Sequence, residues 1–346
     1  MIPTINIAAL FDTDSQPRRD ADQAIAIAAA ESGFMLVTGL PAEMPIAPAQ
    51  LQILKRIFTL PPPEQRRLWR QKFDPDQGNI YRGWFPLQDG HLTYKEGIDI
   101  GPDLAYGGNV VDPADPLREA TPLPPEAVLP GWRAVATAYY TAMEQVGRVL
   151  MRSLARGLDL TEDVFDAAFI GGISTLRLIH YPPRSAASLA AIEHPDFWVP
   201  YGGGRAYLTG AAHVDSGLMT LLAQDGVSGL QAVASNGSWI DVPPLDHALV
   251  VNFGRLLERW TGGRIKATRH RVIGLGAERY SIPFFYEPRV DAVIAPLSLP
   301  HGSGTVDNFA PFLYGDHLWA ATTKFVEFAG LEDRRPPRNQ HTASGL

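Results

Sequence analysis

Short apolar runs separated by turn residues fill the second half of the chain, a pattern typical of β-strands. Asp225-Gly226 and Asn236-Gly237 are predicted as turns between neighbouring runs. A series of six or more short strands favours a sandwich or a jelly roll. The predicted strands cover residues 176–181, 217–223, 229–233, 239–242, 248–253 and 280–286.

The first half of the chain has helical periods instead. An Ala-rich helix is predicted over residues 20–32, followed by a short buried strand over 34–38. A second helix is predicted over residues 49–60, and the three prolines at 61–63 are expected to stop it. Residues 72–130 contain scattered Gly and Pro and are predicted to be rich in loops.

A long amphipathic helix is predicted between the loops and the strands. Apolar side chains recur every three or four positions from Trp132 to Leu154, and Gly157 is placed to end the helix. We therefore expect a helix over residues 131–156 that covers the outer face of the larger sheet. The resulting fold class is mainly β with flanking helices.

Composition narrows the range of functions. The 346 residues are 45% hydrophobic, which suits a sizeable buried core, and the net charge of −7 argues against a nucleic-acid-binding surface. The absence of cysteine excludes thiolate metal sites and disulfides, so any metal must be held by nitrogen or oxygen. We find no signal peptide and no apolar run of about 18 residues. We expect a cytoplasmic protein with neither a nucleic-acid nor a membrane partner, and its oligomeric state is left open.

One of the nine histidines has a carboxylate two positions further on, in His213-Val214-Asp215. Positions i and i+2 of a strand share a face, so both groups could reach one ion. Taken alone, a simple hydrogen-bonded histidine explains this pair more often than a metal site does. His270 lies in a second strand-like segment, and Arg279 with Ser281 could grip a carboxylate from one strand face. Two histidines and one carboxylate are the ligands of the non-haem Fe(II) oxygenases, which leave open positions on the metal.

Here the sequence resembles the Fe(II)/2-oxoglutarate-dependent dioxygenases, in particular the isopenicillin N synthase-like branch. Six segments carry the resemblance in the second half: His213-Val-Asp-Ser-Gly-Leu-Met-Thr-Leu-Leu-Ala-Gln-Asp, Gly229-Leu-Gln, Val251-Asn-Phe-Gly, Glu258-Arg-Trp-Thr-Gly-Gly, His270-Arg-Val and Arg279-Tyr-Ser-Ile-Pro-Phe-Phe. Others match elsewhere: Ile2-Pro-Thr-Ile-Asn-Ile, Gly33-Phe-Met-Leu-Val-Thr-Gly, Lys95-Glu-Gly-Ile-Asp-Ile-Gly and Tyr314-Gly-Asp. The resemblance covers most of the chain and implies a double-stranded β-helix (jelly-roll) core.

The resemblance also implies roles for individual residues. The iron ligands, and thus the catalytic centre, would be His213, Asp215 and His270. The 2-oxoglutarate co-substrate would be bound by Arg279, Ser281 and Tyr181, although a tyrosine before proline is equally common in core packing. Fe(II), 2-oxoglutarate and O2 are the implied cofactors.

The implied reaction is oxidation of a small organic substrate with release of succinate and CO2. Hydroxylation is the default outcome, and desaturation or ring closure needs only a different substrate pose. Two variants stay open: an isopenicillin N synthase-like oxidase that uses O2 without 2-oxoglutarate, and an ethylene-forming enzyme. A non-catalytic jelly-roll binding module gives no reason for the two histidines, Asp215, Arg279 and Ser281 to occur together. A zinc hydrolase leaves the Arg-x-Ser pair without a role.

The substrate pocket is expected among residues that these motifs do not specify. Candidates are residues 81–85, 198–207, Phe285 and 314–325, and Arg82 is more simply explained as a structural or surface arginine. The chain is expected to contain three parts. These are an N-terminal helical and mixed region (1–165), the jelly-roll core (166–295), and a C-terminal helical segment with a polar tail (296–346).

Overall fold

A computed structural model describes residues 2–89, 91–297, 299 and 309–338. Among these residues, no helix combines the length and the apolar character needed to cross a membrane. The strands are β1 (Thr4–Asn6), β2 (Phe34–Thr38), β3 (Gly83–Phe85), β4 (Glu96–Ile100), β5 (Thr175–Tyr181), β6 (Trp198–Tyr201), β7 (Gly204–His213), β8 (Met219–Gln224), β9 (Leu230–Val233), β10 (Trp239–Asp241), β11 (Leu249–Phe253), β12 (His270–Gly274), β13 (Arg279–Tyr286), β14 (Val293–Ile294) and β15 (Phe312–Leu313).

The α-helices flank these strands and lie mostly in the first half of the chain. They are α1 (Gln16–Glu31), α2 (Pro48–Lys55), α3 (Pro62–Arg66), α4 (Asp103–Tyr106), α5 (Trp132–Gly157), α6 (Asp166–Phe169), α7 (Ala186–Ala190), α8 (Arg255–Trp260) and α9 (Tyr314–Thr322).

Two sheets form the core of the fold. The larger sheet has the order β1-β2-β11-β8-β13-β5-β4-β3, and the smaller has the order β10-β9-β12-β7-β6. From β5 to β13 the chain passes back and forth between them, which is the winding of a jelly roll. Buried apolar residues of both sheets form one cluster, with Leu222 and Val250 from the larger and Leu230 and Val272 from the smaller. The two sheets therefore pack face to face.

The N-terminal half supplies both edges of the larger sheet. Strand β2 pairs with β11 and also with β1, while β4 pairs with β5 and with β3. The loop-rich segment predicted over residues 72–130 thus also contains two strands that were not predicted, Gly83–Phe85 and Glu96–Ile100. These strands are short, and their stability comes from pairing with distant strands, which local sequence patterns do not reveal.

Helix α5 covers the outer face of the larger sheet, as expected. Its Tyr139 hydroxyl donates to the carbonyl oxygen of Ile282 at 3.0 Å, and its Tyr140 hydroxyl donates to that of Ser174 at 2.7 Å. Apolar residues on one face of the helix are buried along its whole length. The predicted bounds of this helix differ from the observed ones by one residue at each end.

The second predicted helix was too long. Helix α2 ends at Lys55, and a 3₁₀ turn over Arg56–Thr59 follows it. Pro62 then begins helix α3 instead of only stopping the preceding one. Proline suits the first turn of a helix, where the missing N–H has no intrahelical partner. Of the predicted C-terminal tail, residues 339–346 lie outside the described part of the chain.

Candidate metal and carboxylate site

Two histidines lie side by side at the ends of two paired strands. His213 is the last residue of β7 and His270 is the first residue of β12, and the two are partners in the strand register. Their ring centroids are 4.4 Å apart. Asp215 lies two residues beyond the end of β7. One ligand atom from each of His213, Asp215 and His270 lies within 4.8 Å of the others, so the three side chains could hold one metal ion.

The reason for this convergence differs from the one that we predicted. His213 and Asp215 were expected to share one strand face, but β7 ends at His213 and Asp215 belongs to the following loop. The backbone anchors that loop: Asp215 carbonyl oxygen accepts from the N–H of Arg255 at 2.8 Å. A close approach of Gly254 to the Gly217 carbonyl leaves no room for a Cβ at Gly254. The loop, not strand alternation, therefore aims Asp215 at the histidines.

The two oxygens of the Asp215 carboxylate have different neighbours. Oδ2 accepts hydrogen bonds from the Thr220 hydroxyl at 2.6 Å and the Asn252 side-chain amide at 2.8 Å. Oδ1 lies 3.4 Å from Nε2 of His213 and 3.6 Å from Nε2 of His270. The polar contacts of Oδ2 thus orient the carboxylate and direct Oδ1 towards both imidazole rings.

Each imidazole ring is fixed by its other nitrogen. Nδ1 of His213 is 2.8 Å from the carbonyl oxygen of Ala211, and Nδ1 of His270 is 3.1 Å from that of Thr268. A carbonyl oxygen can only accept, so Nδ1 carries the proton and Nε2 has a free lone pair. Both Nε2 atoms are therefore suited to coordinate a metal, which is the usual arrangement behind a histidine ligand.

The charge states at this cluster also favour a cation. Burial alone would raise the pKa of Asp215, but His270, His213 and the Thr220 hydroxyl together lower it well below its ordinary value. Burial lowers the pKa of His270, which keeps its imidazole neutral. An ionised carboxylate and a neutral imidazole are the forms in which these side chains bind a metal.

Strand β13, which belongs to the larger sheet, carries a buried arginine. Arg279 is only 3% exposed, and its Nη1 donates to the Ser281 hydroxyl at 2.5 Å. Its Nε and Nη2 have no hydrogen-bond partner among the described residues. Tyr181 of β5 is the register partner of Arg279, with its ring centroid 5.3 Å from the guanidinium carbon. Buried, unpaired guanidinium N–H groups are unfavourable, so this site fits a carboxylate ligand.

A cavity of about 340 Å³ lies next to the histidine–aspartate cluster. His213, Asp215 and Tyr181 line it, as do Tyr81 and Phe285 from the predicted pocket segments. Helix α9 and the residues after it close one side through Leu318, Thr322, Lys324 and Phe325.

Two expectations for the pocket had different outcomes. Residues 198–207, expected in the pocket, are not among the described residues that line this cavity, because β6 and β7 pair with each other at the edge of the smaller sheet. Arg82 is fully buried and donates to the Thr175 hydroxyl and the Ile173 carbonyl oxygen, so it is structural.

Sequence reasoning assigned no role to several polar residues around the cavity. Asn252 is the one polar residue of β11, and Thr220 and Arg177 each stand between apolar neighbours in β8 and β5. A polar residue within such a strand is a usable signal, because burial requires it to have a partner. Lys95, Glu287 and Glu327 also line the cavity, and no local pattern marks them.

Comparisons with known proteins agree with this geometry. A sequence model of the 2OG-Fe(II) oxygenase superfamily matches residues 173–288. A 2-oxoglutarate-Fe(II) type oxidoreductase of Aspergillus fumigatus is 32% identical, across 86% of this chain and 85% of that protein. Isopenicillin N synthase of Streptomyces clavuligerus is 29% identical across 92% and 93%. A Neurospora crassa protein crystallised with alpha-KG and 5-formyluracil superposes with a TM-score of 0.76 at 23% identity, over 94% of this chain and 96% of that one.

The superposition confirms the predicted fold class. The superfamily match and the similar oxidoreductase support the implied cofactors, Fe(II), 2-oxoglutarate and O2. They also confirm that the protein is an oxidoreductase. The chain belongs to the 2-oxoglutarate/Fe(II) oxygenase superfamily.

Proposed function

We propose that this enzyme hydroxylates a small organic molecule and converts 2-oxoglutarate to succinate and CO2 as it does so. The observation that carries the proposal is the presence of two sites on the two packed sheets, linked by Tyr181, which lines the cavity with His213 and is the register partner of Arg279. One is a cluster of metal-binding groups, and the other is a buried guanidinium with two unpaired nitrogens. A chelating keto acid with a distal carboxylate is suited to both.

In this proposal Fe(II) is bound by His213, Asp215 and His270. Three protein ligands leave positions open for co-substrate and O2. Fe(II), when bound, supplies O2 activation with electrons from the keto acid. Thr220 and Asn252 would hold the Asp215 carboxylate in the orientation that a bound ion needs.

The far carboxylate of 2-oxoglutarate is bound by Arg279 and Ser281, with Tyr181 beside them. Nε and Nη2 of Arg279 would donate to it in the paired geometry that guanidinium and carboxylate favour. The Ser281 hydroxyl already accepts from Nη1, so its own proton is free to donate to the carboxylate. Apolar side chains of the cavity, including Met219 and Phe285, keep water away from the reacting centre.

Succinate release tests the proposal. Purified protein with Fe(II), 2-oxoglutarate and O2 is screened against carboxylic acids, amino acids and aromatic natural products. Substrate-stimulated succinate is expected with the wild type and absent with His213→Ala. His194→Ala, which removes an exposed histidine, is the matched control and retains activity. Normal turnover by His213→Ala would contradict the proposal.

An oxidase that does not use 2-oxoglutarate is a second candidate, because isopenicillin N synthase is 29% identical to this chain. In that case Arg279 and Ser281 would bind a carboxylate of the substrate itself. Oxygen uptake without succinate, together with unchanged rates when 2-oxoglutarate is omitted, would favour the oxidase. Ethylene in the headspace would identify the ethylene-forming variant.

A further inference from the structure

A second group of charged residues lines the cavity and has no part in the metal cluster or the Arg279 site. Lys95 and Arg177 lie on this side with Glu287 and Glu327. Lys95 directly precedes β4, Arg177 is in β5, Glu287 directly follows β13, and Glu327 belongs to the segment after α9. All four come from different parts of the chain, and the fold brings them to one end of the cavity.

Arg177 shares its carboxylate partner with another arginine. Its Nε and Nη2 donate to the two oxygens of Asp99 at 2.5 and 2.8 Å, and Arg70 also pairs with Asp99. Nε and Nη1 of Arg70 are buried and have no hydrogen-bond partner in the described part of the chain. A single carboxylate thus serves two guanidinium groups. Arg177 lines the cavity, and within the described part of the chain its hydrogen bonds to Asp99 use only Nε and Nη2.

The neighbouring acidic residues do not balance the positive charge of these two arginines. Glu327 pairs with Lys95 at 3.2 Å, which neutralises that lysine. Burial raises the pKa of Glu287 to about 7, although Arg82 and the Thr175 hydroxyl favour its ionised form. At neutral pH the four cations Arg70, Arg82, Lys95 and Arg177 therefore face Asp99, Glu327 and an only partly ionised Glu287. Positive charge is in excess, and uncompensated buried charge is unfavourable.

An aromatic wall connects this cationic end to the metal cluster. The ring centroid of Phe285 is 5.3 Å from the guanidinium carbon of Arg177. Phe285 is also the register partner of Thr220, whose hydroxyl holds Asp215. Phe325 faces the His213 ring at 6.3 Å between centroids. A ligand anchored at Arg177 would therefore extend along Phe285 towards the metal-binding groups.

We propose that the substrate is a small aromatic carboxylic acid whose carboxylate is bound by Arg177 and Lys95. The inference rests on the proposed function, since it takes this cavity as the place of oxidation. Nη1 of Arg177 and the ammonium of Lys95 supply the donors. Phe285, Phe325, Leu318 and Phe328 enclose the apolar body of the molecule. The carboxylate supplies the negative charge that the cavity end lacks.

Matched acid and amide pairs test this proposal by calorimetry. The probes are benzoate and benzamide, phenylacetate and phenylacetamide, and 3-phenylpropionate and its amide. The full-length protein is loaded with Fe(II) and saturating 2-oxoglutarate without oxygen, so that the Arg279 site is occupied. At least one acid is expected to bind about tenfold or more tightly than its amide, the size of effect expected for charge-assisted hydrogen bonds.

Three variants identify the source of that preference. Arg177→Gln and Lys95→Met should each reduce the preference for acids severalfold or more. Lys95→Met still tests the proposal if the Arg177 variant does not fold. Arg205→Gln, at an exposed arginine beside Trp198, is the control and keeps the preference. Equal binding of acids and amides by the wild type, no acid binding at all, or a preference that survives in both cavity variants would overturn the proposal.

Binding of 2-oxoglutarate is measured separately in the same preparations. If the wild type binds 2-oxoglutarate but shows no acid preference, only the substrate inference fails. If the wild type binds no 2-oxoglutarate, the proposed function fails. In that case, a preference for acids that the wild type shows and Arg177→Gln loses would still support the anion site.

Discussion

The carboxylate of Asp215 is tied on one oxygen and open on the other. Thr220 and Asn252 bind Oδ2, while Oδ1 faces both imidazole rings. Because neither residue can reach the metal side, their effect on a bound ion is through orientation of Asp215. Removing a polar group that hydrogen-bonds a metal ligand commonly weakens the binding of the metal.

We expect Asn252→Ala to weaken metal binding by about 10- to 100-fold, since Asp215 loses one of two groups that hold it. Titration with Co(II) measures the affinity, and thermal unfolding verifies that the variant is folded. Asn236→Ala, in an exposed turn, is the matched control and should bind as the wild type does. An unchanged affinity in Asn252→Ala would show that Thr220 alone positions the carboxylate.

Glu287 should make stability depend on pH. Burial raises its folded-state pKa from 4.5 to about 7, so the folded protein binds this proton more tightly than the unfolded chain does. Its favourable contribution is complete below pH about 4.5 and is lost as the pH rises through about 7. Glu287→Gln cannot ionise, so its free energy of unfolding should not fall in this way. The difference in free energy of unfolding between the variant and the wild type should therefore shift in favour of the variant by on the order of 2–3 kcal/mol between pH 4.5 and pH 8. Urea unfolding at both pH values measures this, and a parallel pH dependence in the two proteins would contradict it.

The limits of sequence reasoning are clearest at individual residues. His213, Asp215 and His270 were selected from spacing and from resemblance, and the fold does bring them together. Their role as iron ligands stays a prediction. The reasoning about a shared strand face was wrong, because the loop after β7 depends on contacts with Gly254 and Arg255. The pairing of Arg177 with Asp99 joins two strands and was equally invisible in the sequence.

At the scale of elements, the strength of local patterning decided the outcome. Strand β2 was predicted with its observed bounds, and α5 to within one residue, because their apolar patterns are continuous. Strand β7, which carries His213, was not predicted, since Gly and Ala weaken its alternation. Strand β4 depends on pairing with β5, and β3 depends in turn on pairing with β4. Pairing over long sequence distances is what single-sequence reasoning lacks.

Helix α5 packs closely enough on the sheet to allow a test with opposing effects. A Cβ added to Gly147 would lie 2.6 Å from the ring of Tyr286, which is itself stacked on Phe169. Alanine gains about 1 kcal/mol in helix propensity, but overpacking costs about 1–3 kcal/mol. We expect Gly147→Ala to lower the free energy of unfolding, as measured in urea. Thr141→Ala, exposed on the same helix, should be neutral or slightly stabilising, and a stabilised Gly147→Ala would show that Tyr286 moves aside.

The whole molecule should respond to its cofactors as one unit. A ligand at about 100 times its dissociation constant adds about 2.7 kcal/mol to the stability of the folded state. We expect Co(II) to raise the melting temperature by a few degrees and 2-oxoglutarate to raise it further. Arg279→Gln should retain the metal-induced rise and lose the additional one. If His213→Ala also retained the metal-induced rise, Co(II) would be binding elsewhere.

The larger sheet also limits how this enzyme can be recombined. Strands β1 to β4 precede the region that matches the superfamily, yet they border β11 on one side and β5 on the other. A chimaera that exchanged only residues 173–288 with a relative would place foreign central strands between native outer ones. The donor and native strands would then have to match in hydrogen-bond register and side-chain packing at two places, between β2 and β11 and between β4 and β5. Swaps that include residues 2–100 from the same donor should therefore yield far more soluble protein than swaps of the central segment alone.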